Sequence, residues 1–333
     1  MRFLDEKAQK NVWVLAGLIA KETEKLSDFK YKFCPYKKDN TIPPIDDSFA
    51  PLPDFIELDG TDIHFWIRGT ITTPKPQKGY YYALDFAPQR CNIQTILYLN
   101  GEMVAGLDPN HSRTILEPDT QYDVAFYCYF DKTYNATYYL QSLTPKLLTI
   151  CEKTEKFYFD FYTPFEASEA IDKKSDEYGI IIHHLEIAGN IIDLREPYSD
   201  AYYESIDKAS KYLEEEFYGK ACGKSDVVVN CLGHSHIDVA WRWPVRQTVE
   251  KVQRSFSTVL YLMKHYPEYI FMMTSPQLYI FMKEHAPEKY AEIKQKVKEG
   301  KWEVDGAMWL EADGNLPSGE SFVRQVIYGK KFF

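Results

Sequence analysis

Two imidazoles and a carboxylate follow one another closely in the run Cys231-Leu232-Gly233-His234-Ser235-His236-Ile237-Asp238-Val239-Ala240-Trp241. If the chain is extended there, alternation puts His234, His236 and Asp238 on one side. Neutral imidazole nitrogens and a carboxylate oxygen can then converge on one borderline-soft cation such as zinc. A second acidic set stands further on, in Trp309-Leu310-Glu311-Ala312-Asp313-Gly314-Asn315-Leu316-Pro317-Ser318. Carboxylates brought to the same edge of a sheet as a His-x-Asp pair can share its metal. A His-x-Asp pair alone is a weak signature, because short polar patterns at strand ends also cap helices; with acids arriving from another strand it is far more specific.

The elements that must position these groups are legible around them. Val227 to Cys231 is β-branched and nearly all apolar, which predicts a strand buried on both faces, as in a parallel sheet under helices. His236 and Asp238 then sit just past its C-terminal end, where ligands gather in parallel α/β sheets and barrels. Val249, Val252, Phe256, Val259 and Met263 mark an amphipathic helix, and Tyr269 to Met273 a second strand ending at Thr274-Ser275-Pro276. A helical stretch from Leu278 to Glu284 and a helix opened by Pro287 lead to a third strand over Trp302 to Met308, and a further helix begins near Ser318. Residues 225–333 thus read as β-α-β-α-β, the first part of a parallel (β/α) barrel-like domain, with Glu311 and Asp313 at the same sheet edge as His236 and Asp238.

The rest of the chain reads differently. Residues 1–54 are expected to be a helix, with its stripe at Val12, Leu15 and Ile19, running into a Pro-rich linker. Residues 55–163 alternate in short runs such as Ile63 to Gly69, Tyr80 to Phe86, Tyr122 to Phe130 and Lys156 to Tyr162, which predicts an antiparallel β-sandwich. Asn100-Gly101 supplies the two positive-φ residues of a type I′ hairpin turn. The alternating aromatics are the ordinary signature of a buried strand face rather than of a sugar-stacking surface. Residues 164–224 switch to helical period through Tyr178, Ile182, Leu185, Tyr202, Ile206 and Phe217, bridging sandwich and barrel; His183 and His184 there read as packed or solvated. The fold class is therefore multi-domain.

Bulk properties narrow the partners. A net charge of −10, with no long Lys/Arg cluster, argues against nucleic-acid or anionic-membrane binding. Six scattered cysteines form neither a C-x-x-C zinc site nor a disulfide framework, which suits free thiols in a reducing cytoplasm. The sequon Asn135-Ala136-Thr137 then reads as accidental. No apolar run reaches the roughly 18 residues a membrane span needs.

Three motifs together resemble the α-mannosidases of glycoside hydrolase family 38: Gly233-His234-Ser235-His236-Ile237-Asp238 with Trp241, Ser275-Pro276-Gln277-Leu278-Tyr279, and Trp309 through Glu320. The earlier region, with Trp66, Asn100-Gly101 and His111, is similar to the N-terminal sandwich of the bacterial and cytosolic branch. The resemblance implies zinc as cofactor, His236 and Asp238 as ligands, and Asp313 as both ligand and catalytic nucleophile. It further implies that Trp241 lines the sugar pocket and that His234 and Glu311 support the ligands from behind. The family's remaining zinc-ligating histidine and its acid/base carboxylate are expected beyond Phe333, in a C-terminal part that would complete the enzyme. Turnover by this chain alone is therefore not expected. The implied reaction is zinc-dependent, retaining hydrolysis of α-mannosides or oligosaccharides by a cytoplasmic enzyme, with a homo-oligomer left open. Two other readings compete: a zinc-dependent amidohydrolase, weakened because His265 and His285 fall in helical segments, and a non-catalytic carbohydrate-binding remnant.

Overall fold

The computed structural model describes residues 2–37, 39–87, 93–131, 140–223, 225–306 and 308–333; the sequon at Asn135 and Cys91 lie outside them. Helix α1 spans Arg2–Leu18 and buries Ala8, Val12 and Leu15. They pack in one core with three later helices, α2 (Glu152–Glu169), α3 (Asp176–Ile191) and α4 (Asp200–Tyr212), the last continued by a π-helix over Leu213–Ala221. Side chains start two of them: Ser175 accepts from the Tyr178 amide and Ser199 from the Tyr202 amide.

Two antiparallel sheets follow α1. The four-stranded one has the order Ala20–Lys25, Lys146–Cys151, Tyr80–Asp85, Arg113–Leu116. The six-stranded one has the order Ala50–Pro51, Lys30–Cys34, Ile63–Thr72, Gln121–Phe130, Gln94–Leu99, Glu102–Leu107. Phe65, Ile67, Leu97 and Phe126 of the larger sheet share a core with Leu84, Leu116 and Leu147 of the smaller, so the two form a sandwich. The expected hairpin is present, with φ of 51° at Asn100 and 86° at Gly101 joining Gln94–Leu99 to Glu102–Leu107.

Two expectations for this half are corrected. Ala20–Lys25 and Lys30–Cys34 are strands where a helix and linker were expected; Ala20–Lys25 is a charged edge strand with only one partner, so no apolar alternation announces it. Lys156 to Tyr162 is helical, inside α2. Its aromatics satisfy both periods, and the spacing of Phe157, Phe161 and Phe165 decides: all three are buried on one helix face.

The outer face of the larger sheet is also buried. Trp66, Ile96, Tyr98, Ala125 and Tyr127 point away from the sandwich core and pack against Val252, Phe256 and Val259 of α5 (Val245–His265). Gly106 permits the close approach: a Cβ there would meet Arg254 Cβ at 2.6 Å and its Cα at 2.9 Å. The Gly106 amide also donates to Thr258 Oγ1 at 3.0 Å.

Beyond α5, α6 (Pro276–His285) and α7 (Pro287–Lys298) separate two short strands, Phe271–Met272 and Trp302–Glu303, which pair in parallel. Gly233 adds a single parallel bridge to Phe271, and α8 (Gly319–Phe332) starts at Ser318, whose hydroxyl accepts from the Ser321 amide. The expected first strand over Val227–Cys231 is not formed. Val227, Val228 and Val229 are 74%, 82% and 76% exposed, and pairing begins only at Gly233. A strand apolar on both faces needs layers above and below it, and these residues have neither. Among the described residues the parallel pairing is confined to these short segments, so a barrel is not displayed. No described helix is long and apolar enough to cross a membrane.

Candidate active site

Past Gly233 the chain runs along the N-terminal end of α5. Ile237 and Val239 pack against the core beneath α5, while His236 is exposed and Asp238 half-buried. The Thr248 hydroxyl donates to the Asp238 carbonyl oxygen at 3.2 Å and accepts from Trp243 Nε1 at 3.0 Å, fixing the turn from inside the helix. Gly233 lies where a Cβ would come within 2.1 Å of Tyr269 Oη.

His236 is the centre of the cluster. Its Nε2 lies 3.1 Å from Asp238 Oδ1 and its Nδ1 lies 3.4 Å from Glu311 Oε2. The Asp238 carboxylate can only accept, so in this hydrogen bond Nε2–H of His236 donates, and Nδ1 makes the longer contact with Glu311. Neighbouring ligands on a tetrahedral ion with bonds of about 2.0 to 2.2 Å stand roughly 3.3 to 3.6 Å apart, so this pair, at 3.1 Å across a hydrogen bond, would open slightly to share an ion in place of the proton. The donor set of this half-site fits zinc.

The other expected residues are placed less tightly. Asp313 is exposed, and its Oδ1 accepts the Asn315 amide at 2.7 Å in a local turn. Glu311, rather than Asp313, is the third-segment acid brought to His236. Among the described residues no group of three or more His, Cys, Asp or Glu side chains is assembled to hold a metal. Trp241 is 63% exposed, edge-on to Trp243 at 6.0 Å, with the Arg242 guanidinium 4.8 Å from its ring centroid. His234 is exposed and faces a cavity on the sandwich side of the motif.

Several contributors were given no role by the motifs, although Gln277 lies within one of them. Gln277 Oε1 accepts from Trp309 Nε1 at 3.0 Å and Gln325 Oε1 from the Leu310 amide at 2.9 Å, anchoring the acidic segment to α6 and α8. Lys251 lies 4.4 Å from the Trp243 ring centroid, and burial brings its ammonium pKa down to about 8 despite the attraction of Asp238. An amide or ammonium inside a helix has no fixed spacing from the groups it serves, so only the fold reveals it.

Residues 226–333 match the N-terminal domain of the glycosyl hydrolases of family 38. Alpha-mannosidase G of Dictyostelium discoideum is 43% identical over 129 residues, covering 39% of this chain and 12% of that protein. Alpha-mannosidase 2C1 of Mus musculus is 36% identical over 149 residues, 45% of this chain and 14% of its own length, and its Homo sapiens counterpart 41% over 121 residues, 36% and 12%. The resemblance read from the motifs is thereby borne out for an α-mannosidase N-terminal portion, and the chain spans about an eighth of the length of these relatives.

Proposed function

We propose that this chain carries part of the sugar-binding and nucleophilic machinery of a zinc-dependent, retaining α-mannosidase, and that residues 225–333 are the first part of its barrel-like catalytic domain. The observation that carries the reading is the His236–Asp238 pair at 3.1 Å, with Glu311 delivered to the same imidazole from another segment. His236, Asp238 and Asp313 are the proposed zinc ligands. Bound there, zinc supplies Lewis-acid binding of two adjacent sugar hydroxyls.

The chain's own residues do the remaining work. Glu311, 3.4 Å from Nδ1, would take an N–H there once metal displaced the Nε2 proton, keeping the Nε2 lone pair of His236 directed at the metal position. Trp241 offers an exposed aromatic face to the sugar ring. Asp313 attacks the anomeric carbon as the glycosidic oxygen leaves, giving a glycosyl ester that water then hydrolyses; a second carboxyl group, about 5 to 5.5 Å away in retaining enzymes, protonates the leaving oxygen. With Oδ1 of Asp313 held by the Asn315 amide, Oδ2 is assigned the attack. An amidohydrolase site would recruit histidines from later strands; instead His265 packs, tilted by 55°, against Tyr261 at 4.5 Å within α5.

The test uses 2,4-dinitrophenyl α-mannoside, whose phenolate departs without a proton and so reports on nucleophile and metal alone. The expected result is zinc-dependent release of one equivalent of phenolate per chain, lost in Asp313→Ala. Release that ignores zinc, or survives in Asp313→Ala, overturns the assignment.

A further inference from the structure

Between the motif and the sandwich lies a cavity of about 450 Å³, walled by Gly106 to His111 on one side, His234 to Ile237 on the other, and α5 beneath. Because His236 lines it, the cavity is part of the motif's own site, and the sandwich supplies the opposite wall. We propose that the Asn110-His111 turn on that wall determines specificity, by binding a second, uncharged sugar unit next to the mannose held at the motif. The inference rests on the α-mannosidase reading above and adds to it the substrate class, an oligosaccharide rather than a lone mannoside.

Size, charge and hydrogen-bonding capacity agree. Sites of roughly 300 to 1,000 Å³ hold drug-sized ligands, a size that about two hexose units reach. The charges around the cavity are balanced: Asp238 acts on Lys251, and Glu250 and Asp108 act on Arg254. A charged ligand would upset that balance, whereas a polyol leaves it intact. The wall carries the groups a polyol needs. The Asn110 side-chain amide is exposed, makes no hydrogen bond among the described residues, and can both donate and accept. His111 is exposed too; its Nδ1 is engaged by Asp108 Oδ1 at 3.2 Å, which leaves Nε2 as the ring nitrogen open to a hydroxyl.

The backbone of the wall is ordered before any sugar arrives. Asp108 and His111 exchange two backbone hydrogen bonds of 3.2 and 3.1 Å, and Asp108 Oδ1 accepts the amides of Asn110 and His111 at 2.8 and 2.9 Å. The strand leading into the turn is tied to the motif helix as well, since Thr258 Oγ1 of α5 meets both the Gly106 amide, at 3.0 Å, and the Gly106 carbonyl, at 3.2 Å. A wall fixed in this way does not have to be ordered on binding, so its hydrogen bonds go more fully into affinity. A neutral hydrogen bond is worth about two- to tenfold in affinity.

The experiment is calorimetric titration of the whole chain, with zinc and separately in EDTA, using methyl α-mannoside and a set of α-linked mannobioses. At least one mannobiose should bind about tenfold or more tighter than methyl α-mannoside. Asn110→Ala and His111→Ala should each remove about two- to tenfold of that advantage, while methyl α-mannoside keeps its affinity. Circular dichroism and thermal melting confirm that each variant is folded before it is titrated. The wall and the motif reading fail separately. A mannobiose advantage that persists in EDTA and falls in both variants upholds the wall and counts against zinc; zinc-dependent binding of methyl α-mannoside with no mannobiose advantage upholds the motif and overturns the wall. The proposal is also overturned if no sugar binds, or if the advantage survives either substitution.

Discussion

The buried hydroxyl of Thr248 donates to the carbonyl of Asp238 at 3.2 Å, so the turn that carries the proposed zinc ligands hangs from the inside of α5 rather than from a strand. The helix's seat on the sandwich therefore sets the position of the ligands.

Thr248→Val keeps the shape and removes both bonds, leaving Trp243 Nε1 without its acceptor. A stability loss of about 1 to 3 kcal/mol is expected. Zinc affinity should fall about 10- to 100-fold, as when an outer partner of a metal ligand is removed. Urea unfolding and competition with a zinc-sensitive dye measure the two.

Gly106→Ala drives a methyl group into the Arg254 backbone, where α5 has no room to yield without leaving the sheet. The expected cost is about 1 to 3 kcal/mol, typical of overpacking. A melting temperature unchanged within error would show that the helix can shift.

Phe256 is fully buried and touches Phe271, Tyr279 and Trp302, joining α5 to the parallel segments. Phe256→Ala should cost about 3 to 5 kcal/mol. Denaturant midpoint at unchanged slope is the readout.

Glu250 is buried, and burial raises its pKa above the usual carboxylate value, against the opposing pull of Arg254 and Lys37. Neither of its oxygens finds a hydrogen-bond partner of good geometry among the described residues. A raised folded-state pKa means that the folded chain binds more protons than the unfolded one, so this group lowers stability as pH rises from the unfolded value of 4.5 through the higher folded value. Glu250→Gln should flatten that decline and stabilise the protein at neutral pH. A steeper decline in the variant would mean the carboxylate is ionised and compensated.

Much of this was readable before folding, and the exceptions have physical causes. The α5 stripe, the Asn100-Gly101 turn and the Ser318 cap are local signals, and local signals survive. Val227–Cys231 was read as a strand from composition, yet a strand is made by its neighbours, and the chain pairs only from Gly233 onward. His236 and Asp238 met because two residues of one extended segment cannot be far apart. Glu311, rather than Asp313, reached His236, because that choice depends on how Gln277 holds the Trp309 ring and Gln325 the Leu310 backbone, contacts between segments that the spacing within each motif does not encode.

The six-stranded sheet carries a core on each face, Phe65 and Phe126 inward and Trp66 and Tyr127 outward onto α5. Sandwich and motif helix thus share one wall, and neither can be exchanged as a module without exposing the other's aromatic surface. A protein bearing the same His-x-Asp motif on a different N-terminal domain must supply a replacement lid for Val252, Phe256 and Val259, and that lid should be recognisable by its own row of large apolar side chains.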